Sequence, residues 1–457
     1  MDKNKKIWII IILVLLIILA VFLYLRGRSL LENPNNIIIS TIWDAPALSA
    51  PDAQVQYGEL DLNNSSRRVQ NTRKGFLKGL QNMNPDIDLK EYLISEGSDV
   101  GRFTTNLANI YSEDDIIVTV GATTDEASMY ASMEMNFFDV PILIPFADGD
   151  LSSSNSDRSY SVRMTPNAQN YADFVGEIFN RNIFEYINSY LFENRPVPNI
   201  SVNVAVLFTD NFNGHDTAVK VTQKIMDNGF NISFYEPFEK EMLLRKINQL
   251  WSQNEEEMKD LSAVIVIGED QDPLYVLTDT WHSWSDQGLY PAFVLLGHNP
   301  DLVPAELAEA SNIFVVQQAL DMSSCPSEII NRSEAMGYAA GIILSRALGQ
   351  ANKSMMESTQ GFWKGIEKLL QTPDKRMTSH QNYLSNYRSA VRSALLGLED
   401  PIIPCYGTAF FNTDVENRVD LELVHYTDVD QYIKVDKSVI FNRIINDVRL
   451  LYNIMDR

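Results

Sequence analysis

The sequence predicts an α/β protein of two doubly wound parallel-sheet lobes, preceded by one N-terminal transmembrane helix. Three observations predict it. Apolar strands alternate with helical segments, the alternation runs through two separate series divided near Pro166, and one unbroken apolar stretch, Ile7–Leu25, precedes both. Strands buried on both faces read as continuous apolar runs, and the helices between them cover a parallel sheet. With 457 residues, 45% hydrophobic and 21% charged, the chain has room for two or three ordinary domains and no large-scale disorder.

Residues 1–6 are expected to form a cytoplasmic tip carrying Lys3, Lys5 and Lys6. Residues 7–25 are 19 consecutive apolar positions, about the length that crosses a bilayer as a helix. Arg26 and Arg28 follow, so the amino side is slightly more basic, which favours a signal anchor in the cell membrane with an extracytoplasmic body. The rival reading is a cleaved signal peptide. Its apolar region would be long and its only small-residue site is Gly27-Arg28-Ser29. Residues 26–36, with Pro34 and three Asn, read as a linker.

The body opens with the strand Ile37–Ile42. A polar segment from about Ala47 to Ser66 is too long for a βα turn and reads as a loop over a functional face. A helix over Arg67–Asn82 and a strand over Leu89–Ile94 follow. The run Ile116–Val120 ends at Gly121, and the turn Ala122-Thr123-Thr124 leads into a helix from Asp125 to Met135. The strand Val140–Pro145 is followed by the polar loop Asp148-Gly149-Asp150, and Tyr160–Asn167 leads into another helix. Ligands of such sheets sit outside the carboxyl ends of the strands, where Thr123, Thr124 and Asp148 fall.

The second series has strands at Val202–Phe208, Ile232–Tyr235, Ala263–Ile267, Ala292–Leu296 and Ile313–Val316. Asn228-Gly229 is a helix C-cap, and Asp272-Pro273 is a helix N-cap with its first-turn proline. In the tail, Glu334–Leu348 reads as a buried helix whose Gly337, Ala339, Ala340 and Gly341 permit close packing. Polar helical segments continue to Leu398, and an alternating strand covers Leu421–Tyr426. A last helix, Lys437–Met455, places Ile440, Ile444, Val448 and Leu451 on one face, which packs on its own domain or, alternatively, on a partner.

The formal charge of −23 argues against a nucleic-acid partner, since phosphate binding needs clustered Lys and Arg. There is no Gly-x-Ser-x-Gly elbow, Walker loop or Gly-x-Gly-x-x-Gly, and the five histidines have no metal-ligand spacing. Asp210–Gly214 has Phe212 at a ligand position and no closing Glu, so it is not a calcium loop. The chain is therefore read as a non-enzyme without cofactor or metal. Cys325 and Cys405 match no metal or redox motif; in an exported protein they can pair, and two separate buried thiols are the alternative.

Four segments in order resemble the type 1 periplasmic binding proteins, particularly the branched-chain amino acid (leucine/isoleucine/valine) branch. They are Val120-Gly121 with the Thr-rich turn and Glu126-Ala127; Val140–Ala147 with Leu151 and Tyr160–Arg163; Val204–Asp210 with Phe212-Asn213-Gly214; and Gly407–Val419. The resemblance spans about residues 37–435. It implies two lobes joined by three crossovers that close like a hinge on a small ligand. Lobe I would comprise 37–165 plus 318–410, and lobe II 166–317 plus 411–457.

Carried over by position, Thr123 and Thr124 resemble the turn that binds an amino acid's carboxylate. Phe146 and Asp148 match the loop after the next strand, Phe212 the aromatic of the second lobe, and Glu269 the following strand-end loop. Where amino-acid binders place an acidic residue for the ligand ammonium, this chain has His298 and Asn299, with Asp301 slightly beyond. Asp148 replaces a usual hydroxyl residue; it either receives a ligand ammonium or amide itself or is a solvated loop residue or helix cap. The implied function is a membrane-tethered solute-binding protein that delivers an amino acid-like or amide-like ligand to an ABC permease. The alternative is an ectodomain, ligand-sensing or ligand-free, that regulates a membrane partner.

Overall fold

The computed structural model describes residues 37–45, 55–57, 67–80, 87–95, 100–113, 115–122, 125–146, 160–182, 202–239, 242–268, 291–297, 313–359, 373–398, 402–407, 419–428 and 431–440. The first sheet is built from β1 (Ile37–Ala45), β2 (Val55–Tyr57), β3 (Ile87–Ser95), β4 (Ile116–Val120), β5 (Ile142–Ile144) and β6 (Ser161–Arg163). Their order is β2-β3-β1-β4-β5-β6. All neighbours are parallel except β2, which lies antiparallel on β3 through Val55 opposite Ile94. β2 corrects the expectation that Ala47–Ser66 is loop throughout: three residues of it extend the sheet.

Helices cover both faces. α1 (Arg67–Leu80), α2 (Val100–Glu113) and α3 (Asp125–Phe137) connect the strands. On one face Phe103 and Leu107 of α2 and Ala131 and Met135 of α3 pack on Ile116 and Ile142. On the other, Ile39, Val118, Val120 and Leu143 meet residues from much later in the chain. These come from α8 (Arg332–Thr359) and α9 (Pro373–Leu396), including Ile343, Leu344, Tyr387 and Val391. α8 lies so close to α1 that a Cβ built on Gly75 would be 1.9 Å from the Glu334 carbonyl oxygen, and one on Gly337 2.0 Å from that of Thr72. The small residues read as permitting close packing do so here, and the helix runs beyond the expected Glu334–Leu348 at both ends.

The second sheet holds β7 (Asn203–Thr209), β8 (Asn231–Phe238), β9 (Leu261–Ile267), β10 (Ala292–Leu296), β11 (Ile313–Gln318), β12 (Leu421–Asp428) and β13 (Gln431–Lys434). Its order is β13-β12-β11-β10-β9-β7-β8, with β12 antiparallel to both of its neighbours, β11 and β13, and the other pairs parallel. α4 (Ala168–Ile178) and α5 (Phe212–Asp227) cover one face, and α6 (Leu243–Gln253) covers the other, followed by the short α7 (Glu255–Lys259). Burial follows the two-residue period of a strand: Ala263, Ile265 and Ile267 pack on the α4/α5 side, Val264 and Val266 on the α6 side. Asn228 caps α5, and Gly229 follows at φ +81° as the sequence predicts.

Cys325 and Cys405 are joined in a disulfide, the first of the two alternatives. Of the expected last helix only the residues up to Ile440 are described. Among the described residues no helix is long and apolar enough to cross a membrane; Ile7–Leu25 lies outside them.

Candidate functional site

In each sheet the first strand is flanked by the second and third strands of its βαβ series, β3-β1-β4 and β8-β7-β9. Strand order therefore reverses between β1 and β4, and again between β7 and β9. Doubly wound sheets bind ligands outside the carboxyl ends of the strands at such switch points.

Both switch points are closed by a glycine. Gly121, directly after β4, has φ +122°, and a Cβ there would lie 2.2 Å from the Ile42 carbonyl oxygen of β1. Gly268, directly after β9, has φ +157°, and its Cβ would lie 2.7 Å from Thr209 Cγ2 of β7. Only glycine brings the outgoing chain that near the neighbouring strand in this conformation. Below the first switch point, a buried hydroxyl cluster ties β1 to β4. Ser40 Oγ is 2.8 Å from Thr119 Oγ1, and Tyr111 Oη is 3.0 Å from Ser40 and 2.6 Å from Thr119. Burial pushes the Tyr111 phenol up to about 12, so the cluster keeps its protons at neutral pH.

Of the residues singled out from the sequence, Thr123 stands two positions after Gly121 and Glu269 directly after Gly268. Thr123, Thr124, Asp148, Glu269 and Asn299 lie outside the described residues. Phe212 opens α5 directly after β7, with Asn211 capping the helix by accepting a bond from the Gly214 amide at 2.7 Å. Phe146 is described in full. It follows β5, is buried, and carries the guanidinium of Arg68 4.2 Å above its ring centroid. Such stacking contributes of order 0.5–2 kcal/mol and fixes the ring.

Phe146 and Arg68 line a cavity of about 60 Å³ together with Gly297 just after β10, Gln317 and Gln318 of β11, and Thr165 and Pro166 between the sheets. Groups from both sheets thus meet at one place. The space is smaller than the roughly 300 Å³ at the low end of ligand pockets, and its lining is a wall to which both halves of the fold contribute.

A polar network that sequence reasoning missed surrounds this wall. Arg332, the first residue of α8, donates to the carbonyl oxygen of Gln318 on β11 and, at 3.0 Å, to the hydroxyl of Tyr432 on β13. Its guanidinium is 3.7 Å from Glu422 of β12, and Gln317 Nε2 donates to the same carboxylate at 2.9 Å. Tyr406 donates to the Met164 carbonyl at 2.5 Å, and burial pushes its phenol above the ordinary range, so it remains a donor. The one sequence signal was Gln317-Gln318, a polar pair ending an apolar strand. No group of three or more His, Cys, Asp or Glu side chains that could hold a metal occurs among the described residues.

No protein-family profile matches the sequence, and no curated protein matches it. Solved structures do. An extracellular ligand-binding receptor from Rhodopseudomonas palustris HaA2 superposes with a TM-score of 0.57 at 13% identity, covering 88% of this chain and 100% of that one. The leucine-binding protein LivK from Thermotoga maritima gives 0.56 at 9% identity, covering 88% and 98%. An ABC transporter substrate-binding protein from Desulfitobacterium hafniense in complex with Leu gives 0.52 at 12% identity, covering 88% and 100%. At these identities the likeness shows the fold alone, a two-sheet α/β architecture shared with these ligand-binding and substrate-binding proteins.

Proposed function

We propose that the chain is an extracytoplasmic solute-binding protein, tethered to the cell membrane by residues 7–25, that closes two lobes on an amino acid-like or amide-like ligand for ABC-type uptake. Lobe I in this reading is 37–165 plus 318–410, and lobe II is 166–317 plus 411–457. One observation carries the proposal: two doubly wound sheets, each with a glycine at its switch point, meet at a shared polar wall. The structural neighbours described as ligand-binding receptors and substrate-binding proteins support it. Thr123, Thr124, Phe146 and Asp148 then contribute from the first lobe, and Phe212, Glu269 and Asn299 from the second.

The test is thermal unfolding of the full chain in detergent against amino acids, amides, polyamines and small carboxylates. A ligand at one hundred times its dissociation constant adds about 2.7 kcal/mol. A shift that disappears in Thr124→Ala or Asp148→Ala supports the reading and locates the site. A folded protein that responds to nothing in the panel refutes solute binding and leaves the partner-regulating ectodomain.

A further inference from the structure

In a parallel βα unit the helix runs back along the sheet, so the carboxyl end of α3 lies at the edge where the strands begin. Specific contacts hold it there. Arg388 of α9 donates through Nε to the Ile116 carbonyl at 2.8 Å and through Nη1 to the Phe138 carbonyl at 3.1 Å. Asn136 accepts a bond from the Tyr160 amide at 2.7 Å, and the Arg392 guanidinium lies 5.4 Å from the Tyr160 ring centroid. Ile116 opens β4 and pairs with Ile38, the second residue of β1. Phe137, Phe138, Tyr160, Arg388 and Arg392 therefore share the edge at which β1 starts.

Phe137 is 80% exposed, the most exposed large apolar side chain among the described residues, and Met133, one turn back on the same face of α3, is 55% exposed. The inference rests on the proposed anchor. Eleven residues, 26–36, separate the apolar stretch from β1, and so short a chain reaches at most about 36–40 Å. Adjacent strands are about 4.8 Å apart, which leaves the α3 terminus within the same reach. Aromatic rings beside arginines are the side chains that bilayer interfaces favour.

We propose that this edge rests on the bilayer and that Phe137 and Met133 enter the boundary between headgroups and acyl chains. Asp115 and Asp139 are exposed on the same edge, and the chain carries a charge of −23, so the fitting surface is zwitterionic and not anionic.

The full chain is prepared with Phe137→Cys or, as a control on the second sheet, Met242→Cys, which replaces a residue 41% exposed ahead of α6. Cys325 and Cys405 are bonded to each other, so a nitroxide label takes only the new thiol. Each protein is reconstituted in phosphatidylcholine vesicles, and collisions of the label with oxygen and with a water-soluble nickel chelate are compared. The expected result is an oxygen-to-nickel ratio several-fold higher at 137 than at 242. A chain that alkaline washing strips from the vesicles overturns the anchor and the inference together. A retained chain with equal ratios overturns the inference alone. Aqueous ratios with dipolar broadening at 137 assign the patch to a second copy of the chain, and that too overturns it.

Discussion

Gly75→Ala sets two opposed expectations against each other. In an open helix interior, alanine in place of glycine stabilises by roughly 0.8–1 kcal/mol. At position 75 the added Cβ would sit 1.9 Å from the Glu334 carbonyl oxygen, against an ordinary carbon-to-oxygen approach of about 3.3 Å. The blocking atom is backbone, so no side chain can swing aside, and α1 and α8 must part by the difference, about 1.4 Å. Parting opens the seam under Phe76, which lies buried in the same core as Ala340 and Leu344. Overpacking of this kind costs about 1–3 kcal/mol, occasionally more. After the gain in helix propensity is subtracted, Gly75→Ala is expected to lose that gain entirely and to destabilise by up to about 2 kcal/mol.

Gly337→Ala should behave alike, and because one separation accommodates both methyls, the double variant should cost less than the sum by about 0.5 kcal/mol or more. Gly349→Ala, on the same α8 but with nothing within 4 Å of its Cβ, should instead stabilise. Unfolding in urea, followed by circular dichroism, is combined with hydrogen exchange of the α1 amides, because a chain with two separate sheets need not unfold in one step. If Gly75→Ala protects α1 as Gly349→Ala protects α8, the backbones are not in contact and the reasoning is wrong.

Glu422→Ala leaves the buried guanidinium of Arg332 without its carboxylate, and loss of about 3 kcal/mol is expected in the same unfolding assay; Lys434→Ala, which removes the 68%-exposed partner of that carboxylate, should cost no more than about 0.5 kcal/mol. Reduction of Cys325–Cys405 frees a loop of sequence separation 80, and the chain-entropy relation gives a loss of about 4.5 kcal/mol, measurable as a lower urea midpoint in reductant. Burial pushes the Glu334 carboxyl up, but Lys78 at 2.8 Å and Lys74 at 3.0 Å outweigh it and hold it below its ordinary range. The unfolded chain therefore takes up this proton first as pH falls; the contribution is full at neutral pH and is lost as pH drops through the lowered value. Stability measured between pH 7 and 3 should fall less in Glu334→Gln than in the unaltered chain, and equal slopes would contradict that assignment.

The strands most plainly legible in the sequence are those buried on both faces: β4, β10 and β11 have no half-exposed residue, and β7 and β9 have one each. Where pairing supplies what composition lacks, the sequence is silent. β2 is three residues, Val-Gln-Tyr, held by β3. β3, by contrast, was legible over Leu89–Ile94 although it carries Lys90 and Glu91, and Glu91 belongs there because Arg73 binds it at 2.6 and 2.8 Å and the Trp43 indole donates to it at 3.2 Å. α2 was missed because its polar residues outnumber its apolar stripe. At the candidate site, the strand ends and their glycines were legible because turn chemistry is local. The Arg332–Glu422–Gln317 network was not, since its members come from three elements that only the chain's return to the second sheet brings together.

The disulfide between Cys325 and Cys405 has a consequence for how the protein comes apart. The bond closes a ring that contains all of α8 and α9, the helices that fill one face of the first sheet. Cleavage at a single peptide bond anywhere in that ring opens it without releasing a fragment. A protease that nicks the connection between the two helices is expected to leave one band on a non-reducing gel and two after reduction. Two bands without reductant would show that the ring was never closed. While the bond stands, the helical layer can be cut once and still stay with the sheet it covers, so an intact-looking population need not be an uncut one.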